Sequence, residues 1–374
     1  LMTAQTCRKP LVSAVGVSKH FVMSESLLSR RLTGLSARQV MAVDAVSMEI
    51  YPGETVGLVG ESGCGKSTFG RVMVGLLQPT SGQVYYGNTP IWGQKSIDRS
   101  ELKHRAQIIF QNPYSSLNPR YTVRQTIDVA LAARGVPPRH RYEEARSLMT
   151  RVGLSPDYLE RYPHQLSGGQ RQRVAIARAL ATQPEFIVAD EPLSSLDVSV
   201  QAQIISLLED LQNEYGLSYL LIAHDLRVVY HMCNRVAVMY GGQIVEFAPT
   251  DALYERPLHP FTRQLLGAIP GTGGRRRRNR NGRGHSPAQA SFATSIEAES
   301  MIDSSQAHIE NACQFWPRCE QAAPVCKKSS PELLSLSFGS ASAFGASHSD
   351  TASGASTEPQ GDRLVRCHMA HNRQ

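Results

Sequence analysis

The chain has 374 residues, 41% of them hydrophobic and 19% charged, with a formal net charge of +7. That length suits one large α/β domain with a small appendage, or two compact domains. No stretch approaches the ~20 apolar residues of a membrane helix, and no apolar core follows the early Arg8 and Lys9, so neither a bilayer crossing nor a signal peptide is expected. The charge is local. Arg275, Arg276, Arg277, Arg278, Arg280 and Arg283 supply six of the positive charges. Such a run can touch nucleic acid or anionic lipid, but the Gly and Asn around it read more simply as a solvated linker.

Composition divides the chain in three, with no internal repeat. Residues 11–267 read as one continuous α/β domain. Residues 271–307, rich in Arg, Gly, Ser and Ala without apolar periodicity, read as a linker. Residues 309–369 form a short tail with four Cys, interrupted by a Ser/Ala/Gly-rich stretch from Phe338 to Asp362.

Within the main domain the first turn signal is Pro52-Gly53, and the apolar run Glu54–Val59 behind it suits a buried strand. Gly60-Glu61-Ser62-Gly63-Cys64-Gly65-Lys66-Ser67-Thr68 follows. This is the phosphate-binding pattern G-x-x-x-x-G-K-[ST], here between an apolar strand and an amphipathic helix. The glycines let backbone N–H groups converge on phosphates, and the helix N-terminus adds partial positive charge. Lys66 would reach the β- and γ-phosphates, and Ser67 would set its hydroxyl on Mg²⁺. Pro79 to Gly82 marks another turn.

Further along, Leu166-Ser167-Gly168-Gly169-Gln170 precedes the basic helical stretch Arg171–Leu180. Ser167 is a natural N-cap, and the two glycines leave amides open at a helix start, a second anion site. The run Glu185–Ala189 ends in Asp190-Glu191. Two carboxylates at a strand's C-terminal edge lie where α/β sheets bind ligands. Asp190 would hold Mg²⁺ and Glu191 would act as general base on water. Val198 to Tyr215 has helical spacing, with Asp197 placed to cap it. Ser218–Ala223 reads as another buried strand, followed by His224, and Gly241-Gly242 as a turn.

Residues 166–170 with the basic helix resemble the signature motif of ABC ATPases. The resemblance implies an ABC-type P-loop NTPase domain: a RecA-like core, an antiparallel β subdomain and a helical signature subdomain. The cofactors would be ATP and Mg²⁺. It implies a head-to-tail pair in which Ser167, Gly168, Gly169 and Gln170 of one subunit close over ATP held by the other. Gln111, in Phe110-Gln111-Asn112-Pro113-Tyr114, resembles the glutamine loop that reaches Mg²⁺ and senses the membrane subunits. Ser195-Leu196-Asp197 resembles the loop joining the two ATP sites. His224 resembles the switch histidine at the γ-phosphate. Phe21 is similar to the aromatic that stacks on adenine, although Ser24 to Gln39 is longer than in a minimal ABC domain.

Outside the ATPase core, FQNPYSSLNPR (residues 110–120), LHPFTRQLLGAIP (258–270) and QFWPRC (314–319) are similar to ATPase subunits of dipeptide, oligopeptide and nickel importers, closer to the second of the two paired ATPases. The implied partners are two membrane permeases, a second non-identical ATPase and, indirectly, a periplasmic or extracellular solute-binding protein, with the chain peripheral at the cytoplasmic face of the membrane. Nickel, glutathione or another small solute remains an alternative cargo. Rivals of other classes are an exporter motor and a soluble ABC ATPase acting on nucleic acid, which a single cassette without a long insertion disfavours. In relatives with four such thiolates as Cys313, Cys319, Cys326 and Cys367, a [4Fe–4S] cluster can occupy the site. Zinc and free thiols remain open. The tail departs from the family in Glu320, where Pro is common.

Overall fold

The computed structural model describes residues 9–23, 38–194, 196–268, 309, 311–336 and 363–371. The expected linker, Ser195, and residues 24–37 and 337–362 lie outside the described residues.

The chain begins with an antiparallel sheet. Strands β1 (Val12–Met23) and β2 (Arg38–Ile50) pair along most of their length, β4 (Ser81–Tyr86) takes the other edge of β1, and the short β5 (Thr89–Pro90) follows β4. Between β2 and β4 the chain dips into a second, larger sheet through β3 (Thr55–Gly60) and then helix α1 (Lys66–Met73). The larger sheet continues with β6 (Ala106–Ile109), β7 (Phe186–Asp190), β8 (Ser218–Ile222), β9 (Arg235–Tyr240) and β10 (Gln243–Pro249). The run β9-β3-β8-β7-β6 is parallel, while β10 pairs with β9 antiparallel.

The unbroken apolar runs are explained by burial on both faces. Along β7, Phe186 and Val188 point to one core, and Ile187 and Ala189 to the other. Along β8, Leu220 and Ile222 face the first core, Tyr219 and Leu221 the second. A strand with period two and helices or sheets on both sides has no solvent face to encode. The first core is closed by α1, whose Phe69, Val72 and Met73 lie between the large sheet and the antiparallel sheet. Burial of Phe69 contributes about 2–3 kcal/mol.

Helix α2 (Arg99–Arg105) leads into β6 with its Leu102 in the first core, whereas α3 (Pro113–Ser116), α4 (Val123–Ala133), α5 (Pro138–Arg151) and α6 (Gly168–Leu180) form the segment between β6 and β7 that packs on the second core. Helix α4 starts on a capping box: Gln125 N–H donates to Thr122 Oγ1 at 3.2 Å and Thr122 N–H to Gln125 Oε1 at 2.9 Å. The basic residues of α6 act as internal ties. Arg171 Nε donates to Pro163 O at 2.8 Å, Arg173 to Val152 O at 2.6 Å and Arg178 to Ser116 O at 2.6 Å. After β7, α7 spans Val198–Tyr215 and α8 Leu226–Met232, and α9 (Thr250–Glu255) and α10 (Pro260–Gly267) follow β10. The expected turn near Pro79 is shorter than the sequence suggests, because β4 already begins at Ser81.

The tail is less of an appendage than its composition implies. Strand β12 (Arg363–Val365) pairs antiparallel with β10, and β11 (Leu334–Leu336) with β12, so the tail extends the large sheet; the short α11 (His368–His371) follows. Across that join lies a buried ion pair. Glu246 is fully buried, and it accepts from Arg363 Nη2 at 3.2 Å, Leu258 N–H at 3.0 Å and His259 N–H at 2.9 Å. Phe315 wedges between Tyr240, Phe261 and His259, with ring centroids 5.1, 5.5 and 5.7 Å away.

His259 caps α10. Its Nδ1 accepts from Phe261 N–H at 3.1 Å, so the neutral ring is required. Burial, with the neighbouring Arg263 charge, pushes its pKa down to about 3. Facing it are the Glu246 carboxylate from β10 and the Phe315 ring. Below the unfolded value of 6.5 the unfolded chain takes up a proton that the folded chain refuses until about pH 3, so stability falls as pH drops through that window. The His259 share of that slope is at most about 1.4 kcal/mol per pH unit. In His259→Asn, which keeps an acceptor for Phe261 N–H, urea midpoints measured across this window should show a shallower acid slope; an unchanged slope would reject the assignment.

Candidate functional site

Four parallel strands end at one edge. The register pairs Leu58 and Asp190 with Ile222, and Ile109 with Ala189. One or two residues beyond those positions come Gly60, Gln111, Glu191 and His224. The predicted residues of four separate motifs therefore meet because the strands that carry them are in step.

The phosphate loop leaves β3 at Gly60 and enters α1 at Lys66, with Gly65 as N-cap. Two glycines are required for steric reasons. A Cβ on Gly60 (φ +153°) would sit 2.1 Å from Met239 O, and one on Gly65 (φ +108°) 1.9 Å from Ala42 O. The first amides of α1 have no intrahelical acceptor, the condition that lets a helix start bind an anion. Lys66 is buried, and its Nζ donates to Gly60 O at 2.9 Å and Glu61 O at 2.8 Å. The ammonium is thus held over the loop by the loop's own carbonyls. Burial raises the Cys64 thiol, whose Sγ lies 3.9 Å from Lys66 Nζ.

Ser67 Oγ donates to Asp190 Oδ1 at 2.8 Å. Burial raises the pKa of Asp190, against the hydrogen bond from Ser67 and the charge of Arg71. A hydroxyl beside a buried carboxylate offers hard oxygen donors. This fits Mg²⁺, which takes one or two protein oxygens and completes its shell with water and phosphate. Glu191 adopts the left-handed region at φ +46°, held by its N–H donating to Ile222 O at 2.9 Å. Such a conformation is costly for a non-glycine residue and concentrates at functional sites. It directs the carboxylate to Gln111, whose Nε2 donates to Glu191 Oε2 at 2.6 Å, and His224 Nδ1 lies 3.7 Å from the same oxygen.

The signature segment stands apart. Ser167 and Gly168 are exposed, and no hydrogen bond among the described residues ties residues 167–170 to the loop. Ser167 caps α6 as expected, and Gln170 completes the box, its Oε1 accepting from Ser167 N–H at 2.9 Å. Asp197 precedes α7, but its carboxylate makes no cap bond; its main-chain carbonyl receives Val200 and Gln201 N–H. Val198 beside it is 82% exposed. Phe21 is exposed on β1, paired with Val40, two residues before the Ala42 that touches Gly65. Sequence reasoning gave no role to Arg318, which reaches the loop from the tail and bonds Glu61 at 2.9 Å. Nothing in the spacing of residues 257 positions apart signals that contact.

The expected cluster ligands gather in the tail but do not form a ligand set. Cys313 N–H donates to Cys326 O at 3.0 Å. Yet among the described residues no group of three or more His, Cys, Asp or Glu is arranged to hold a metal ion. Burial, reinforced by neighbouring thiols, pushes Cys313 up to about 11 and raises Cys319 and Cys367 as well. Burial thus disfavours the thiolate form that metal binding needs.

Among the described residues no helix is long and apolar enough to cross a membrane. Comparison with known proteins matches residues 43–194 to the ABC transporter family and residues 245–326 to the oligopeptide/dipeptide transporter C-terminal region. The oligopeptide transport ATP-binding protein OppF of Bacillus subtilis (strain 168) is 52% identical over 234 residues, 62% of this chain and 77% of that protein. The oligopeptide transport ATP-binding protein AppF of the same organism is 43% identical over 323 residues, 85% of this chain and 91% of that protein. Among solved structures, the dimeric post-hydrolysis state of the ATP-binding cassette MJ0796 bound to ADP and Pi superposes with a TM-score of 0.53. It is 28% identical, and the match covers 64% of this chain and 98% of that one. These relatives give no support to the nucleic-acid alternative. With a phosphate loop, an acid pair and a capped signature helix on this fold, the chain belongs to the ATP-hydrolysing, ATP-binding subunits of the ABC transporter family, in the branch that carries the oligopeptide/dipeptide C-terminal region.

Proposed function

We propose that this chain is one of two motor cassettes whose ATP hydrolysis drives import of di- or oligopeptides. The observation that carries the hydrolytic reading is the convergence of Lys66, Gln111, Glu191 and His224 on the one sheet edge beside the phosphate loop. The relatives' names support the cargo class.

In this reading the amides of residues 60–68 and the Lys66 ammonium bind the triphosphate, exchanging the loop carbonyls that now hold Lys66 for phosphate oxygens. Ser67, Asp190 and Gln111 hold Mg²⁺, which neutralises phosphate charge when bound. Glu191 accepts a proton from water aligned with the γ-phosphate. Gln111 and His224 orient that carboxylate, and His224 donates to the transferring group. Phe21 stacks on adenine. The Ser167-Gly168-Gly169-Gln170 cap, with Ser167 and Gly168 exposed, and the exposed Asp197 face a second, non-identical cassette and complete its ATP site. Closure of the pair pulls on two permease subunits near Gln111, at the cytoplasmic face of the membrane, with a solute-binding protein delivering cargo on the far side.

The finer reading of the tail is a [4Fe–4S] cluster on Cys313, Cys319, Cys326 and Cys367, supported by four thiols meeting in one small lobe. It requires their sulfurs to draw in to a common centre.

Three measurements test these readings. In the complex reconstituted with its membrane partners, Glu191→Gln should still bind MgATP while turnover falls about a hundredfold or more; normal turnover would remove Glu191 as base. The same vesicles should take up labelled di- and oligopeptides, and uptake of nickel or glutathione instead would move the cargo class. For the tail, anaerobically purified protein should carry about four irons and the matching sulfide, and colourless, iron-free protein with native structure removes the cluster.

A further inference from the structure

The second residue of the phosphate loop is a carboxylate. Glu61 sits where a polyanion is bound, and its charge opposes that of a triphosphate. Its backbone carbonyl is occupied by Lys66, at 2.8 Å, but its side chain is answered from elsewhere. Arg318 Nη1 lies 2.9 Å from both Oε1 and Oε2 of Glu61.

Arg318 is placed by structure rather than by chance. It ends the 3₁₀ turn Trp316–Arg318, directly after Phe315, whose ring is locked among Tyr240, Phe261 and His259. Its guanidinium also lies beside the Tyr240 side chain, at the end of the strand that pairs with β3 beside the loop. Four residues earlier, Gln314 packs on Gly241, with its Cβ 3.2 Å from where a Gly241 Cβ would lie. The next residue, Gly242, donates its N–H to Cys64 O in the loop at 3.1 Å. The tail segment 314–318 therefore supports the loop at two points, one electrostatic and one steric.

We propose that Arg318 is a positioning residue for the nucleotide. By pairing with Glu61 it removes a repulsive charge from the rim of the cradle and holds the loop in the shape that receives the phosphates. The proposal rests on the assignment of residues 60–68 as the ATP phosphate site. Each partner's side chain is 41% exposed, so the effect is moderate and salt-dependent.

Coupling between the two residues is the test. With full-length chain titrated with MgATP, and with ATPase kinetics in the reconstituted complex, Arg318→Gln should raise Kd and KM about fivefold at low salt, less at high salt, with kcat within about twofold. In a Glu61→Gln background the same Arg318 substitution should change affinity by less than about twofold, because no carboxylate is left to neutralise. Arg318→Lys, which keeps the charge, should stay within about twofold of the parent, and it serves as the readout if the Gln variant unfolds. Unchanged affinity in Arg318→Gln, an equal loss in the Glu61→Gln background, or a fivefold loss in Arg318→Lys would overturn the proposal. A parent chain that does not bind MgATP would instead fail the site assignment beneath it.

Discussion

A parallel strand buried on both faces can present polar groups only at its ends. That constraint organises this molecule. Strands β3, β7 and β8 run through the centre with apolar residues on both sides, so the chain can place charge only where each strand stops. Because the strands are in register, their ends fall on one line, and the loop amides, Asp190, Glu191, Gln111 and His224 share one edge. The site is a consequence of strand registry, and a slip of one residue would turn Asp190 and Glu191 away from Ser67 and Gln111.

The groups at that edge are held in tension with their surroundings. Lys66 and Asp190 are both nearly out of solvent, and each is satisfied locally, by loop carbonyls and by Ser67. Burial disfavours the ionised form of Asp190, and a cation beside it would offset that penalty. Glu191 keeps an unfavourable backbone conformation, bonded to the end of β8. These features cost stability and are maintained by the two cores on either side of the sheet.

The tail joins this arrangement through the other edge of the same sheet. Strand β12 pairs with β10, and the buried Glu246–Arg363 pair fixes the join while Glu246 also receives the amides that start α10. Desolvation offsets much of the attraction in such an ion pair, whereas removing one partner would leave a buried charge uncompensated. Docking there and at Phe315 brings residues 314–318 against the phosphate loop. A segment that reads as an accessory from its composition is therefore mechanically continuous with the nucleotide site.

The chain's local patterns determined a good deal. The three apolar runs match β3, β7 and β8 to within a residue or so, and helix α7 occupies the predicted Val198–Tyr215. The loop glycines, Lys66, the Asp190-Glu191 pair and the Ser167 cap were legible because each needs a particular residue type at a fixed local spacing. The pairing of β12 with β10 and the Arg318–Glu61 contact were not legible. So too the failure of Asp197 to cap α7 with its side chain came only from the fold. The physical reason is range. Hydrophobic period, caps and tight turns are set by neighbours within a few residues. Sheet order, side-chain docking and the protonation state of a thiol are set by burial against residues hundreds of positions away, which only the packed chain brings together.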